Sequence, residues 1–202
     1  MKKDEMPKLM NDSSDKDGHA ETIMDYVISW CLRRAQSICK KEKPILYSKC
    51  RYMLSKLLNL DTLDLKNIEF TRVEVWKQWA RIDLCVEVDA VINNIEKRYA
   101  ILIENKYYSE LHDTKDINGK SKNQLEVYKK KFEDYYKEQN EERELKYALI
   151  TCIEREDKKF KQYNIAYQFG FNVFSFYELL EDEEYTESEI FNEFWLRWGS
   201  EM

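Results

Sequence analysis

Three charged residues stand at the ends of strand-like segments, where their spacing could do chemistry. Glu104 and Lys106 follow the most apolar run of the chain, Ile101-Leu102-Ile103, and strand alternation places their side chains on one face. Asp83 lies in the preceding strand-like segment, with Arg81 two residues before it on the same face. If these two segments pair as a hairpin, we expect the carboxylates of Asp83 and Glu104 to lie side by side.

Two neighbouring carboxylates repel each other unless a cation joins them. An all-oxygen site of two carboxylates and a backbone carbonyl, completed by water, suits Mg²⁺ or Mn²⁺. A lysine beside such a metal can orient or deprotonate an attacking water, or offset the charge that develops on a phosphate. The pattern therefore indicates a divalent-metal site flanked by a lysine.

The surrounding elements make this pattern more specific than the tripeptide alone. An acid followed two residues later by lysine occurs six times in the chain, but only at Glu104 does it end a buried-type strand. A long helix follows, on which Gln124 and Tyr128 lie four residues apart and therefore share a face. Both side chains can reach a site at the end of the strand.

Periodicity predicts the elements that must position these residues. The predicted helices cover residues 20–43, 45–59, 121–140 and 158–169, and capping boxes at Ser175 and Thr186 begin two more. The predicted strands cover residues 68–75, 82–88, 99–106, 147–153 and 173–174, and residues 108–122 form a polar, mobile loop. This order predicts an α/β fold with a small mixed central sheet flanked by helices.

Composition excludes several functional classes. The chain has 202 residues and a net charge of -6, with four widely separated glycines and two histidines. A P-loop or a dinucleotide-binding turn needs clustered glycines, and a multi-histidine metal centre needs more histidines. The five cysteines form no CxxC pair, and no apolar run is long enough to span a membrane. We expect a cytoplasmic protein with reduced thiols, a flexible tail over residues 1–18 and one domain over residues 19–202.

These motifs resemble those of the PD-(D/E)XK nuclease superfamily. The resemblance lies in Arg81-Ile82-Asp83, Ile103-Glu104-Asn105-Lys106 and Gln124-x-x-x-Tyr128, and it is closest to the branch with R-I-D, E-N-K and Q-x-x-x-Y motifs. It covers about residues 68–178, although Ile82 stands where the family name has proline. The resemblance implies a restriction-endonuclease-like core and Mg²⁺-dependent cleavage of phosphodiester bonds, with DNA as the substrate.

The resemblance also implies roles for individual residues. Asp83, Glu104 and the backbone carbonyl of Asn105 would hold the metal, and Lys106 would act on the water. The first helix of the family often brings another acid, for which Glu21 is the best positional match and Asp25 its rival. Gln124 would join the catalytic residues. Arg81 and Tyr128 would contact the substrate. Independently of the resemblance, Lys129 begins a run of three lysines one turn past Gln124, which could meet a phosphate backbone or form a solvated face.

Other interpretations of these residues stay open at this stage. Arg81 could instead pair with a carboxylate, Glu104 and Lys106 could form a surface ion pair, and Glu87 and Asp89 are interpreted as solvent-facing. The alternative function is a non-catalytic module of the same fold that binds nucleic acid or protein. The acidic net charge suggests that a partner protein assists targeting, and the oligomeric state, a dimer included, stays open.

Overall fold

The computed structural model describes residues 18–116 and 118–198 as a mixed α/β fold around one five-stranded sheet. The strands are β1 (Ile68–Trp79), β2 (Ile82–Ile92), β3 (Ile95–Lys106), β4 (Asp113–Lys115), β5 (Ser121–Asn123), β6 (Glu144–Thr151) and β7 (Asn172–Ser175). The central sheet has the order β1-β2-β3-β6-β7, with β1 to β3 antiparallel and β6 and β7 parallel to β3. Strands β4 and β5 form a separate hairpin.

Helices cover both faces of this sheet. They are α1 (Gly18–Arg34), α2 (Pro44–Leu57), α3 (Gln124–Gln139), α4 (Ile165–Gln168) and α5 (Glu189–Phe191), which continues as a π-helix over Asn192–Trp198. One hydrophobic core joins α1, α2 and the C-terminal helices to the sheet, and a second core joins α3 and α4 to its other face. The expected mixed sheet flanked by helices is confirmed.

The apolar sequence of β3 explains its central position. Ile101 and Ile103 pack towards α1, whereas Ala100 and Leu102 pack towards α3, so both faces of the strand are buried. The strand stays buried through its last residue, Lys106. The polar end of β3 is therefore held inside the protein rather than in solvent.

The hairpin of β2 and β3 brings the predicted site residues to one edge of the sheet. Asn93 and Asn94 form its turn with φ of 51° and 65°, the left-handed pair that a type I′ turn requires. The resulting register pairs Leu84 with Ile103, one step from Asp83 and Glu104. The predicted antiparallel neighbourhood of these two strands is confirmed.

Several predicted elements differ in detail. Residues 108–122 contain the β4–β5 hairpin, and residues 158–169 form a 3₁₀-helix over Lys158–Asn164 followed by α4. The capping box at Ser175 is present, but Ser188 rather than Thr186 caps α5. Thr186 does not cap the helix, because its hydroxyl and its backbone N–H both donate to Oδ1 of Asn192.

The interpretation of Glu87 as solvent-facing is wrong. Its carboxylate is buried, accepts a hydrogen bond from the Tyr136 hydroxyl at 3.0 Å, and lies 3.2 Å from Nη2 of Arg143. Asp89, on the same face, is half-buried and accepts from Nη1 of Arg143 at 2.8 Å. Helix α3 and the loop that follows it cover this part of β2, which local alternation could not indicate.

The five cysteines are free thiols, as expected. In the two described ranges, no helix has both the length and the apolar character needed to cross a membrane. The expected tail over residues 1–18 lies outside the described residues except for Gly18, which begins α1.

Candidate functional site

Four carboxylates approach one another where α1, β2 and β3 meet. Glu21 and Asp25 come from α1, Asp83 from the start of β2, and Glu104 from the end of β3. Electrostatic repulsion links all four: the charge of Glu21 acts on Asp25 and Glu104, and the charges of Asp25 and Glu104 act on Asp83. We call these four residues the acid cluster.

Glu104 is the most enclosed member of the cluster, with 3% of its surface exposed. Its Oε1 accepts hydrogen bonds from Nε2 of Gln124 and lies 3.1 Å from Nζ of Lys106. Lys106 is only 6% exposed, so this pair is a buried ion pair and not a surface one. Oε2 of Glu104 is buried without a hydrogen-bond partner, which leaves a carboxylate oxygen available for a further ligand.

Asp83 is held by backbone and side-chain donors from its two neighbouring strands. Its Oδ2 accepts from the backbone N–H of Asn105 at 2.8 Å, and its Oδ1 accepts from Nε2 of Gln78 at 3.3 Å. The same nitrogen of Gln78 lies 3.3 Å from Oδ2 of Asp25 and so bridges the two acids. Sequence reasoning missed Gln78, although the register of β1 and β2 places it opposite Asp83.

Helix α1 contributes both of the rival acids. Oδ1 of Asp25 accepts from the side-chain amide of Asn105 at 2.7 Å. Oε1 of Glu21 accepts from the backbone N–H of Tyr107 at 3.0 Å and from the Ser109 hydroxyl. Asp25 is therefore linked to Asp83, whereas Glu21 is bound to the segment that follows Lys106.

Burial and repulsion between carboxylates raise the pKa of Asp25, Asp83 and Glu104. Burial, then the charges of Glu104 and Asp25, raises the pKa of Asp83 to about 8. Burial raises the pKa of Glu104 to about 7, although the Lys106 cation opposes this shift. The pKa of Asp25 is also raised, mainly by burial. A cation placed among these groups would favour their ionised forms.

Polar and basic groups lie along one side of the cluster. Burial and the charges of Glu104 and Asp83 raise the pKa of the Tyr128 hydroxyl to about 12, with Arg81 opposing this shift. Arg81 is exposed and, among the described residues, makes no hydrogen bond or salt bridge. A structural pairing of Arg81 with a carboxylate is therefore not observed. Its guanidinium is available to a ligand.

The lysine that lies at this side is Lys131 and not Lys129. Nζ of Lys131 is 3.5 Å from the carbonyl of Ala80 and 5.9 Å from the centre of the Tyr128 ring. Lys129 instead donates to the carbonyl of Phe169 at 2.9 Å, so the structure does not bring it to the cluster. The three-residue spacing from Tyr128 to Lys131 is the signal that sequence reasoning could have used.

The donor set fits a hard divalent cation that keeps part of its water. Among the described residues, no group of three or more His, Cys, Asp or Glu side chains is arranged as a metal site. Mg²⁺ is commonly bound through one or two carboxylates and several waters, so it does not require such a group. The unpartnered Oε2 of Glu104, with Asp83 beside it, meets that smaller requirement.

Comparisons of the chain with protein-family models, curated proteins and solved structures find no match.

Proposed function

We propose that this chain is a metal-dependent nuclease of the PD-(D/E)XK superfamily, with a restriction-endonuclease-like core, that hydrolyses phosphodiester bonds of DNA. The observation that carries the proposal is the buried Glu104, whose Oε2 has no hydrogen-bond partner while its Oε1 lies 3.1 Å from the ammonium of Lys106 and its charge acts on Asp83. A buried carboxylate oxygen without a partner is costly, and a cation bound at Oε2 of Glu104 would offset that cost.

In this proposal Asp83, Glu104 and the backbone carbonyl of Asn105 would hold the metal, with Glu21 or its rival Asp25 as the further acid from α1. A bound Mg²⁺ or Mn²⁺ supplies Lewis-acid polarisation of the phosphate. Gln124 fixes the orientation of Glu104 by donating to its Oε1.

Lys106 and the basic side of the cluster have separate tasks. Lys106, held 3.1 Å from Oε1 of Glu104, positions the attacking water as an ammonium, or takes the proton of that water after first losing its own proton to solvent. Arg81 and Lys131 bind phosphate oxygens of the substrate, and the Tyr128 hydroxyl donates to one of them. Because the chain carries a net charge of -6, bulk attraction to DNA is weak, and a partner protein assists targeting.

The proposal is tested by incubating the chain with supercoiled, linear and single-stranded DNA and with RNA, in Mg²⁺, Mn²⁺ or chelator. We expect cleavage of DNA with either metal and none with chelator. Asp83→Asn keeps the shape of the site but removes a ligand charge, so its rate should fall at least about a hundredfold. A folded wild-type chain that cleaves none of these substrates would favour the non-catalytic binding module instead.

A further inference from the structure

A cavity separate from the acid cluster lies between the β1–β2 hairpin and α3. It measures about 140 Å³ and is lined by Trp76 and Trp79 of β1, Tyr135 of α3, and Cys85 and Glu87 of β2, among others. Trp76 and Tyr135 are 42% and 37% exposed, so the cavity opens to solvent. Aromatic walls with a buried carboxylate among them are suited to a flat ligand that carries hydrogen-bond donors.

The two tryptophans reach the same cavity because the end of β1 is irregular. They are three residues apart, and a regular strand would direct their side chains to opposite faces. Between them Gln78 has φ of 57°, outside the strand region of the backbone. The irregular backbone at Gln78 directs its side chain towards Asp83 and Asp25. The same irregularity brings both tryptophans to one cavity.

The cavity continues the surface of the acid cluster. Along α3, Tyr128 lies beside the cluster, and Phe132, one turn later and about 6 Å further, lines the cavity. Along β2, Asp83 belongs to the cluster, and Cys85, two residues and about 7 Å further on the same face, lines the cavity. At a rise of about 3.4 Å per nucleotide, this separation corresponds to about two nucleotides of a strand.

The size and polarity of the cavity select one kind of base. An engineered protein cavity of about 150 Å³ accepts one benzene ring, so about 140 Å³ encloses a single six-membered ring, whereas the fused rings of a purine would extend out of the cavity into solvent. A carboxylate accepts a hydrogen bond from the exocyclic amine of cytosine. The carbonyl oxygen at the same position of thymine would instead face the carboxylate of Glu87 and be repelled.

From these observations we infer that the cavity binds one unstacked cytosine of the substrate strand, within about two nucleotides of the bond that is cleaved. Trp76 and Trp79 stack on or enclose the ring, and Glu87 accepts from its amino group. The inference rests on the proposed function for its placement along a DNA strand. The binding of the base itself needs no metal.

The charges around Glu87 favour a neutral base over an organic cation, the other ligand that aromatic cages accept. Nη2 of Arg143 lies 3.2 Å and Nη1 of Arg72 lies 3.7 Å from Oε2 of Glu87. A quaternary ammonium would have to approach a carboxylate that already faces two guanidinium groups. A neutral amino group needs only a free lone pair of the same oxygens.

The test is fluorescence anisotropy with labelled oligo-deoxycytidine and oligo-thymidine, measured in chelator so that no strand is cleaved. The acid cluster repels both strands equally, so the ratio of their affinities measures the preference of the cavity for cytosine over thymine. We expect oligo-deoxycytidine to bind at least about tenfold more tightly. Trp76→Ala should weaken its binding about tenfold, because stacking on one side chain is lost. Tyr167→Ala removes an exposed aromatic outside the cavity and should leave binding unchanged.

Glu87→Gln provides the second variant, because its amide can donate to thymine as well as accept from cytosine. We expect the preference for deoxycytidine to fall below about threefold. Equal affinity of the wild type for both strands, or a wild-type affinity in Trp76→Ala, would overturn the inference. Displacement of oligo-deoxycytidine by tetramethylammonium would also overturn it, in favour of a cation site. A chain without nuclease activity that still prefers deoxycytidine would refute the proposed function and the placement of the base beside a cleaved bond, but would support the binding of cytosine in the cavity.

Discussion

Lys106 combines a packing role with the proposed chemistry. Its ammonium is buried 3.1 Å from Glu104, whose carboxylate also accepts from Gln124. A buried pair of this kind costs more desolvation than an exposed one, and removing one partner leaves the other charge uncompensated. A test of Lys106 must therefore separate lost catalysis from lost folding.

Lys106→Met keeps the length of the side chain and removes its charge. We expect the cleavage rate to fall about 10² to 10⁴-fold, the usual loss for a general base or electrostatic group. Affinity for Mg²⁺, measured by titration calorimetry, should change little because the ammonium is not a ligand. The control is Lys130→Met on the exposed face of α3, which should keep the wild-type rate. A Lys106→Met chain that cleaves at the wild-type rate would show that the Glu104-Asn105-Lys106 motif has a structural role and no catalytic one.

At the scale of elements, the turn between β1 and β2 holds a strained backbone beside the site. Ala80 and Arg81 form this turn with φ of 53° and 74°, between the paired residues Trp79 and Ile82. Such two-residue turns favour Asn-Gly, and a left-handed backbone costs most other residues about 1–2 kcal/mol. A strained position near a proposed site is consistent with selection for the Arg81 side chain over stability.

Replacing either turn residue with glycine should separate stability from binding. Arg81→Gly and Ala80→Gly both relieve the positive φ, and each should raise the free energy of unfolding by up to about 1 kcal/mol. Only Arg81→Gly removes a phosphate ligand, so only this variant should weaken DNA binding, about threefold to tenfold. Denaturant unfolding and anisotropy measure the two effects. Equal DNA affinity in both variants would remove Arg81 from the substrate site.

The sequence predicted those parts of the site that local pattern determines. Alternation in β2 and β3 and the turn at residues 93–94 were enough to place Asp83 beside Glu104, because the hairpin is local. Gln78 could not be found in this way, since its role depends on the register across a strained turn. The orientation of α3 about its own axis places Lys131, and not Lys129, next to the turn between β1 and β2. The burial of Glu87 depends on Arg143, which is distant from it in sequence.

At the scale of the whole molecule, the cluster brings four carboxyl groups close together in a chain whose net charge is already -6. The raised pKa values of Asp83, about 8, and Glu104, about 7, mean that both bind protons near neutral pH. A metal that binds the ionised forms must release those protons.

Binding of Mg²⁺ should therefore release protons. At pH 7 we expect a net release on the order of one proton per ion, and a higher affinity at pH 8 than at pH 6. Calorimetry in two buffers of different ionisation enthalpy measures the number released. Asp83→Asn should reduce both the affinity and the proton release, whereas Asp134→Asn, on the exposed face of α3, should change neither. Binding without proton release would contradict the placement of the metal at Asp83 and Glu104.

The same two acids should make the metal-free chain less stable as the pH rises. Their folded-state pKa values lie above the ordinary values of 3.8 and 4.5, so between these limits the folded chain binds more protons than the unfolded one. The free energy of unfolding then falls with increasing pH, and the stability that these groups contribute at low pH is lost as the pH passes through about 7 and 8.

We expect the melting temperature in chelator to decrease between pH 5.5 and 8.5 by at least about 3 °C, since 1 kcal/mol shifts it by about 2–4 °C in a chain of this size. Asp83→Asn cannot ionise at this position, so its melting temperature should depend less on pH, while Asp134→Asn should follow the wild type. Millimolar Mg²⁺ should restore most of the loss at pH 8.5, because the ion stabilises the charged carboxylates that destabilise the metal-free fold. A melting temperature that rises across this interval in chelator, or that Mg²⁺ leaves unchanged, would show that the cluster is not a cation site.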